Sequence, residues 1–126
     1  MKMLTTTIAR VLFGLPFAIF GIMHLFNADK MAAYVPIPGG VFWIYVTGAA
    51  LLAAGISVIS GKLVIAACYG LALLMFVFIV TEHIPGLMDP ARMQMAMGGL
   101  LKDMSLMGAS LLLAGIYHNE NKTIHL

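Results

Sequence analysis

Residues 63–81 read LVIAACYGLALLMFVFIVT, a stretch of 19 residues without a charged side chain. A helix needs about 20 mostly apolar residues, each adding about 1.5 Å, to cross the hydrocarbon core of a bilayer. A surface helix of a soluble domain instead carries polar residues along one face. This stretch therefore predicts a membrane-spanning helix and places the chain among integral membrane proteins.

Three further stretches have the composition of a span, and polar or turn-forming segments separate the four. Residues 27–40 contain two prolines and two glycines, residues 60–62 read SGK, and residues 82–91 contain Pro85 and an Asp89-Pro90 pair. Asp followed by Pro is typical of a helix start. The sequence thus predicts one domain over residues 1–126, with helices at about 5–26, 41–59, 63–81 and 92–117.

The composition of the whole chain excludes several classes of protein. Its 126 residues are 62% hydrophobic and 10% charged, with a mean hydropathy of +1.02, whereas soluble domains are about 45–50% apolar and about 25% charged. A soluble enzyme, a nucleic-acid-binding module and a disordered chain are excluded, and a net charge of +2 is too small to indicate polyanion binding. The single cysteine, Cys68, excludes an internal disulfide and paired-cysteine zinc or redox motifs.

The basic residues near the span ends predict the orientation of the chain. One side of the membrane carries Lys2, Arg10, Lys62 and Lys122, and the other carries Lys30 and Arg92. Cytoplasmic segments have an excess of lysine and arginine. We therefore expect an antiparallel bundle of four transmembrane helices in a bacterial inner membrane, with both termini cytoplasmic. The first span is expected to be retained, because no small-residue cleavage site follows it.

Small residues recur at helical spacing in the predicted spans. Pairs seven residues apart are Gly14 and Gly21, Gly48 and Gly55, and Gly108 and Gly115, and the third helix has Ala66 and Gly70. Such residues let helix backbones approach closely, which is the main packing device in a membrane. We therefore expect these stripes at the helix contacts of the bundle.

Two adjacent charges, Lys102 and Asp103, fall near the middle of the fourth predicted span. A charge at the bilayer centre costs about 2.5–3.5 kcal/mol even on the lenient insertion scale, so neither side chain is expected to face lipid. The pair is either a ligand or proton site or a structural neutralisation, and the sequence leaves both open. Arg10, within the first span, either extends to the headgroups or pairs with Asp103.

Further polar residues are expected where the first and third spans end. His24 ends the first span, and Glu82 and His83 end the third, all on the side opposite Lys62. Two histidines and a carboxylate have the chemistry of a transition-metal site or a proton relay, but they also suit capping and anchoring. No HxxH or HExxH spacing is present, so no metal site is predicted.

The aromatic residues and the methionines each admit two interpretations. Aromatic residues at the start of the second span, Tyr34, Phe42, Trp43 and Tyr45, form either an interfacial belt or the wall of a slot for a flat ligand such as a quinone. The 11 methionines are interpreted as packing residues rather than as copper(I) ligands.

Three segments appear in a distinctive order. They are GIMHLF at residues 21–26, MAAYVPIP at 31–38 leading to WIYVTG at 43–48, and LLKDMSLMGASLLL at 100–113. In this order they resemble the DoxX and DoxX-like family of small membrane proteins, over about residues 10–114. The resemblance implies a compact antiparallel four-helix bundle and points by position to His24, Tyr34, Trp43, Gly48, Lys102 and Asp103.

The resemblance also implies a function. Some members of the family are membrane subunits of oxidoreductases that pass electrons to quinone, including in thiosulfate oxidation, and others are linked to oxidative stress. One departure weighs against an enzymatic role for this chain alone. Members often carry a glutamate three residues after the glycine that matches Gly48, and this chain has Leu51 there.

Three functions follow as hypotheses. The first is a membrane subunit of a quinone-linked oxidoreductase, with a ligand or proton site formed by Lys102, Asp103, His24, Tyr34 and Trp43 and a secondary polar cluster of Glu82, His83 and Arg10. Because the sequence contains no flavin, haem or iron–sulfur motif, a partner subunit would supply the electrons.

The other two hypotheses need no quinone. The second is a non-catalytic accessory or assembly subunit of a larger membrane complex, or a homo-oligomer, which the glycine-lined helices suit. The third is transport of a small solute or proton past Lys102 and Asp103. Transport is the weakest of the three, because the sequence has no inverted repeat.

Overall fold

The computed structural model of the chain describes residues 2–33 and 39–125, with side chains up to residue 119, and this part is helical without strands. A first π-helical segment, Leu4–Ile8, leads into α1, and a second, Ile79–His83, joins α4 to α5. The remaining elements are α1 (Ala9–Phe26), α2 (Ala28–Ala32), α3 (Gly40–Ser60), α4 (Val64–Phe78), α5 (Ile84–Leu87) and α6 (Met93–His125).

Four helices are long and apolar enough to cross a membrane. They are Leu4–Phe26, Gly40–Ser60, Val64–Leu87 and Met93–Asn119. The prediction of an all-helical protein with four candidate spans is therefore confirmed. The short helix α2 lies in the predicted connection between the first two spans.

The third span is longer than predicted. The expected end was residue 81, with residues 82–91 as a connection, but the helix continues through the second π-helical segment and α5 to Leu87. The expected helix breaker, Pro85, lies in the first turn of α5, where proline is tolerated. Because a wide π turn comes immediately before it, the chain passes the proline without leaving the helix. Glu82 and His83 consequently lie inside the span.

A capped turn leads into α6. Asp89 Oδ1 accepts the backbone N–H of Ala91 at 3.0 Å, and its Oδ2 accepts a hydrogen bond from Arg92 Nε at 3.2 Å. The side-chain oxygen thus replaces a backbone acceptor, as at a helix start. The Asp89-Pro90 pair therefore forms the turn before α6, whose first residue is Met93.

The chain divides into two compact units, Met1–Ala67 and Cys68–Leu126. In the first unit, glycines bring α1 and α3 into close contact. A Cβ added to Gly14 would lie 2.9 Å from the carbonyl oxygen of Gly55, and one added to Gly21 would lie 2.6 Å from that of Gly48. Since the order of these contacts is reversed along the two helices, α1 and α3 run antiparallel. The predicted glycine stripes of the first two spans are therefore confirmed as helix contacts.

The glycines of the other predicted stripes form no such contact within the second unit. Among the described residues, nothing lies within 4 Å of a Cβ added to Gly70, Gly108 or Gly115. In the second unit a different small pair brings α5 close to α6, because a Cβ on Gly86 would lie 2.7 Å from the Cβ of Ala96. Small residues permit a close approach without requiring one, so close contacts at these three glycines stay a prediction.

We expect Gly21→Ala to destabilise the first unit. The added methyl group would lie 2.6 Å from both the Gly48 carbonyl oxygen and the Leu52 backbone nitrogen. Overpacking of this kind typically costs about 1–3 kcal/mol, which the free energy of unfolding in detergent micelles measures. Gly108→Ala is the matched control and should be neutral or stabilising by up to about 1 kcal/mol. Equal losses in the two variants would contradict the packing described here.

Candidate functional site

A buried carboxylate is the centre of the site. Asp103 of α6 is 3% exposed and is the buried charged residue among those described. Nε2 of His83 lies 2.6 Å from its Oδ2. Because a carboxylate oxygen accepts hydrogen bonds, the imidazole nitrogen is the donor. This hydrogen bond joins the third span to the fourth and satisfies a group that lies away from water.

Gly99 makes room for this hydrogen bond. It precedes Asp103 by one helical turn, so both face the same side of α6. A Cβ on Gly99 would lie 2.5 Å from Cε1 and 2.8 Å from Nδ1 of His83. The imidazole therefore rests against the backbone of α6, in a space that any side chain at position 99 would occupy.

The second π-helical segment ends at His83 itself. A π turn is wider than an α turn, and such turns recur at functional sites. In this helix the wide turn lies directly at the histidine that contacts the neighbouring span. The backbone irregularity and the polar contact thus coincide, which is a further reason to treat His83 as part of a site.

Lys102 approaches the second oxygen of the same carboxylate. Its Nζ lies 3.6 Å from Asp103 Oδ1, an ion-pair distance rather than a hydrogen-bond distance. The Lys102 side chain is 55% exposed, against 4% for Asp103. Asp103 is thus enclosed, whereas Lys102 is exposed in the described structure, because adjacent residues point to different sides of a helix. The carboxylate lies between an imidazole and an ammonium group.

Asp103 lies near the middle of its span, and His83 lies four residues, or about 6 Å, before the end of its own span. Asp103 follows Met93 by ten residues, or about 15 Å along α6, which is half of a hydrocarbon core of about 30 Å. His83 was expected at the membrane surface with Glu82 and His24. It contacts Asp103 within the helix that continues to Leu87, while Glu82 is exposed.

His24 and Arg10 belong to the first unit. Nδ1 of His24 donates to the carbonyl oxygen of Phe20 at 2.7 Å, so its ring is held against its own helix. The guanidinium of Arg10 lies against Gly61, which ends α3: a Cβ there would be 3.4 Å from Arg10 Cζ. Neither sequence interpretation of Arg10 included this contact with a helix end.

The structure describes three of the four aromatic candidates, Phe42, Trp43 and Tyr45. Trp43 is 46% exposed and packs edge to face with Phe42, with ring centroids 5.2 Å apart. This arrangement at the start of α3 fits an aromatic belt at the membrane interface. Tyr34 lies outside the described residues.

The pairing of His83 with Asp103 was missed in the sequence. A hairpin register would have found it: the contacts of Gly86 with Ala96 and of His83 with Gly99 are both centred on residue 91, and Asp103 follows Gly99 by one helical turn. That register is the register of a helical hairpin, in which residues equally distant from the turn face each other. Treating residues 82–91 as a connection concealed it.

The chemistry of this arrangement is that of proton exchange and hydrogen bonding. The described residues include no group of three or more His, Cys, Asp or Glu side chains that could hold a metal ion. An imidazole and a carboxylate in contact can hold a proton and release it to a ligand. The neighbouring ammonium of Lys102 adds donors for an oxygen atom.

We expect Gly99→Ala to separate His83 from Asp103. The methyl group would occupy the position of the imidazole and leave a buried carboxylate without its donor, and breaking a buried charged pair costs about 3–5 kcal/mol. The free energy of unfolding in detergent measures this. Gly98→Ala is the matched control, because a Cβ there meets no described atom within 4 Å. If Gly99→Ala were as stable as Gly98→Ala, the proposed role of Gly99 would be wrong.

Comparison with known proteins identifies the family. The sequence model of the DoxX family matches residues 5–84, which is more than half of the 126 residues. No curated protein and no solved structure matches the chain. The family match includes His24, Gly48 and His83 but ends before Lys102 and Asp103, so it does not extend to residues 100–113. On the strength of this match across its first three spans, the chain belongs to the DoxX family of membrane proteins.

Proposed function

We propose that this protein is a membrane subunit of a quinone-linked oxidoreductase system, in which His83, Asp103 and Lys102 form the headgroup and proton site. The observation that carries the proposal is the 2.6 Å hydrogen bond between His83 and the buried Asp103 inside two candidate spans. An ionisable residue within a span is costly and is by default a functional-site candidate.

Quinone chemistry gives a reason for a protonatable pair at this depth. Quinones dissolve in the hydrocarbon core, and their two-electron reduction takes up two protons at the carbonyl oxygens. His83 and Asp103 hold a proton between Nε2 and Oδ2, and the ammonium of Lys102 carries donors suited to a carbonyl oxygen. Because Lys102 is exposed beside the buried pair, a headgroup can reach it without displacing His83 from Gly99.

The electrons would come from a partner subunit. The sequence has no flavin, haem or iron–sulfur motif, so the donor centre belongs to another protein, soluble or membrane-bound. The contribution of this chain is to bind and orient the headgroup and to supply a proton at the correct atom.

A second candidate is a non-catalytic accessory or assembly subunit. It is supported by the exposed glycines Gly108 and Gly115 of α6, which leave a face where another helix can approach closely. It is also supported by Leu51, a fully apolar residue that is 2% exposed where the family resemblance places a glutamate.

Quinone retention distinguishes the two functions. We expect the purified protein to contain extractable ubiquinone or menaquinone and to bind short-chain analogues in nanodiscs. Asp103→Asn and His83→Gln should bind at least about tenfold more weakly, because a hydrogen bond to a charged group contributes about 1.5–3 kcal/mol and tenfold is about 1.4 kcal/mol. Lys30→Gln, an exposed position in the first unit, is the control and should bind as the wild type does.

Another outcome would favour the accessory function. In that case the wild-type protein contains no quinone and binds none, while a second membrane protein co-purifies with it and remains bound in Asp103→Asn. Equal binding by the wild type and all three variants would also contradict the proposed site.

A further inference from the structure

One end of the first unit carries a concentration of positive charge. Because α1 and α3 run antiparallel, the start of the first span and the end of the second lie at the same end. Three basic residues belong to that end: Lys2, Arg10 and Lys62. Lys2 and Lys62 are exposed, and Arg10 is partly buried.

Arg10 is held in a defined position at this end. Its guanidinium lies against Gly61, so closely that a Cβ on the glycine would be 3.4 Å from Cζ and 3.9 Å from Nη2. Gly61 has a positive φ of 80° and ends α3. A cation at a helix C-terminus is stabilised by the partial negative charge of the last carbonyl groups. The structure therefore holds the positive charge of Arg10 in a fixed position against the C-terminal end of α3.

The turn after α3 presents a second charge beside an apolar side chain. The backbone N–H groups of Gly61 and Lys62 both donate to the carbonyl oxygen of Ser57, at 3.0 and 3.1 Å. Leu63 then has a positive φ of 56°, which is unfavourable for a non-glycine residue, and it is 79% exposed. The turn thus holds an exposed cation and an exposed leucine next to each other at the end of a span, which suits the boundary between headgroups and acyl chains.

The first unit contributes no carboxylate of its own to this end. The first 67 residues of the sequence contain a single acidic residue, Asp29. It follows the end of α1 at Phe26, and Arg10 precedes that end by 16 residues, or about 24 Å. Asp29 is therefore too far away to form an ion pair with Arg10.

We propose that this end binds the phosphate of an anionic phospholipid headgroup. Arg10 provides a fixed charge at the base of the site, Lys62 and Lys2 provide flexible donors around it, and Leu63 contacts the upper acyl chain. A lipid is favoured over a soluble anion because the charges lie at the end of two spans and beside an exposed apolar side chain. This site involves neither His83 nor Asp103, so it does not depend on the proposed redox function.

Lipid binding to the full chain tests the proposal. The protein is delipidated in detergent and titrated with phosphatidylglycerol or phosphatidylcholine, and bound lipid is counted by native mass spectrometry. We expect a preference for phosphatidylglycerol that Lys62→Gln and Arg10→Gln each reduce by about fivefold, since a basic residue near an anionic surface contributes about that factor. Lys30→Gln, a basic residue at the other end of the same unit, should leave the preference unchanged.

Three results would overturn the proposal. One is equal binding of the two lipids by the wild type, and another is the same loss in Lys30→Gln as in Lys62→Gln. The third is displacement of phosphatidylglycerol by millimolar inorganic phosphate, which would assign the site to a free anion. If Arg10→Gln fails to fold in a thermal unfolding assay, Lys62→Gln decides the outcome, because the Lys62 side chain is exposed.

Discussion

A carboxylate inside a membrane span is stable only where a donor replaces the water it has lost, and for Asp103 that donor is the imidazole of His83 at 2.6 Å. The surrounding features of the second unit serve this contact. The helix continues past Pro85 to Leu87, so that His83 lies within the span. The π-helical segment ends at the histidine, and Gly99 leaves the space that the ring fills.

Glycine has different roles in the two units. In the first unit, Gly14, Gly21, Gly48 and Gly55 let two backbones approach each other, which gives a tightly packed helix pair where lipid and side chains are equally apolar. In the second unit, Gly99 makes room for a polar ring and not for a backbone. The first unit is thus a closely packed helix pair, and the second holds the buried ionisable pair.

The sequence predicted the fold class well, because about 20 apolar residues in a row have few structural outcomes. It also identified Asp103 as unusual, since a charge at that depth is costly. It did not pair Asp103 with His83, because 20 residues separate them and Pro85 and Gly86 resembled the end of a helix. The exposure of Lys102 and the contact of Arg10 with Gly61 depend on helix rotation and packing, which a one-dimensional pattern does not contain.

The coupling free energy between His83 and Asp103 tests the central claim most directly. Unfolding free energies in detergent are measured for His83→Leu, Asp103→Leu and the double variant. His83→Leu leaves a buried carboxylate without a donor and should be the most destabilised, whereas the double variant, which removes both partners, should recover most of that loss. The account predicts a coupling of about 1–3 kcal/mol, as for residues in direct contact. Additive losses in the double variant would show that the two side chains do not depend on each other and would contradict the account.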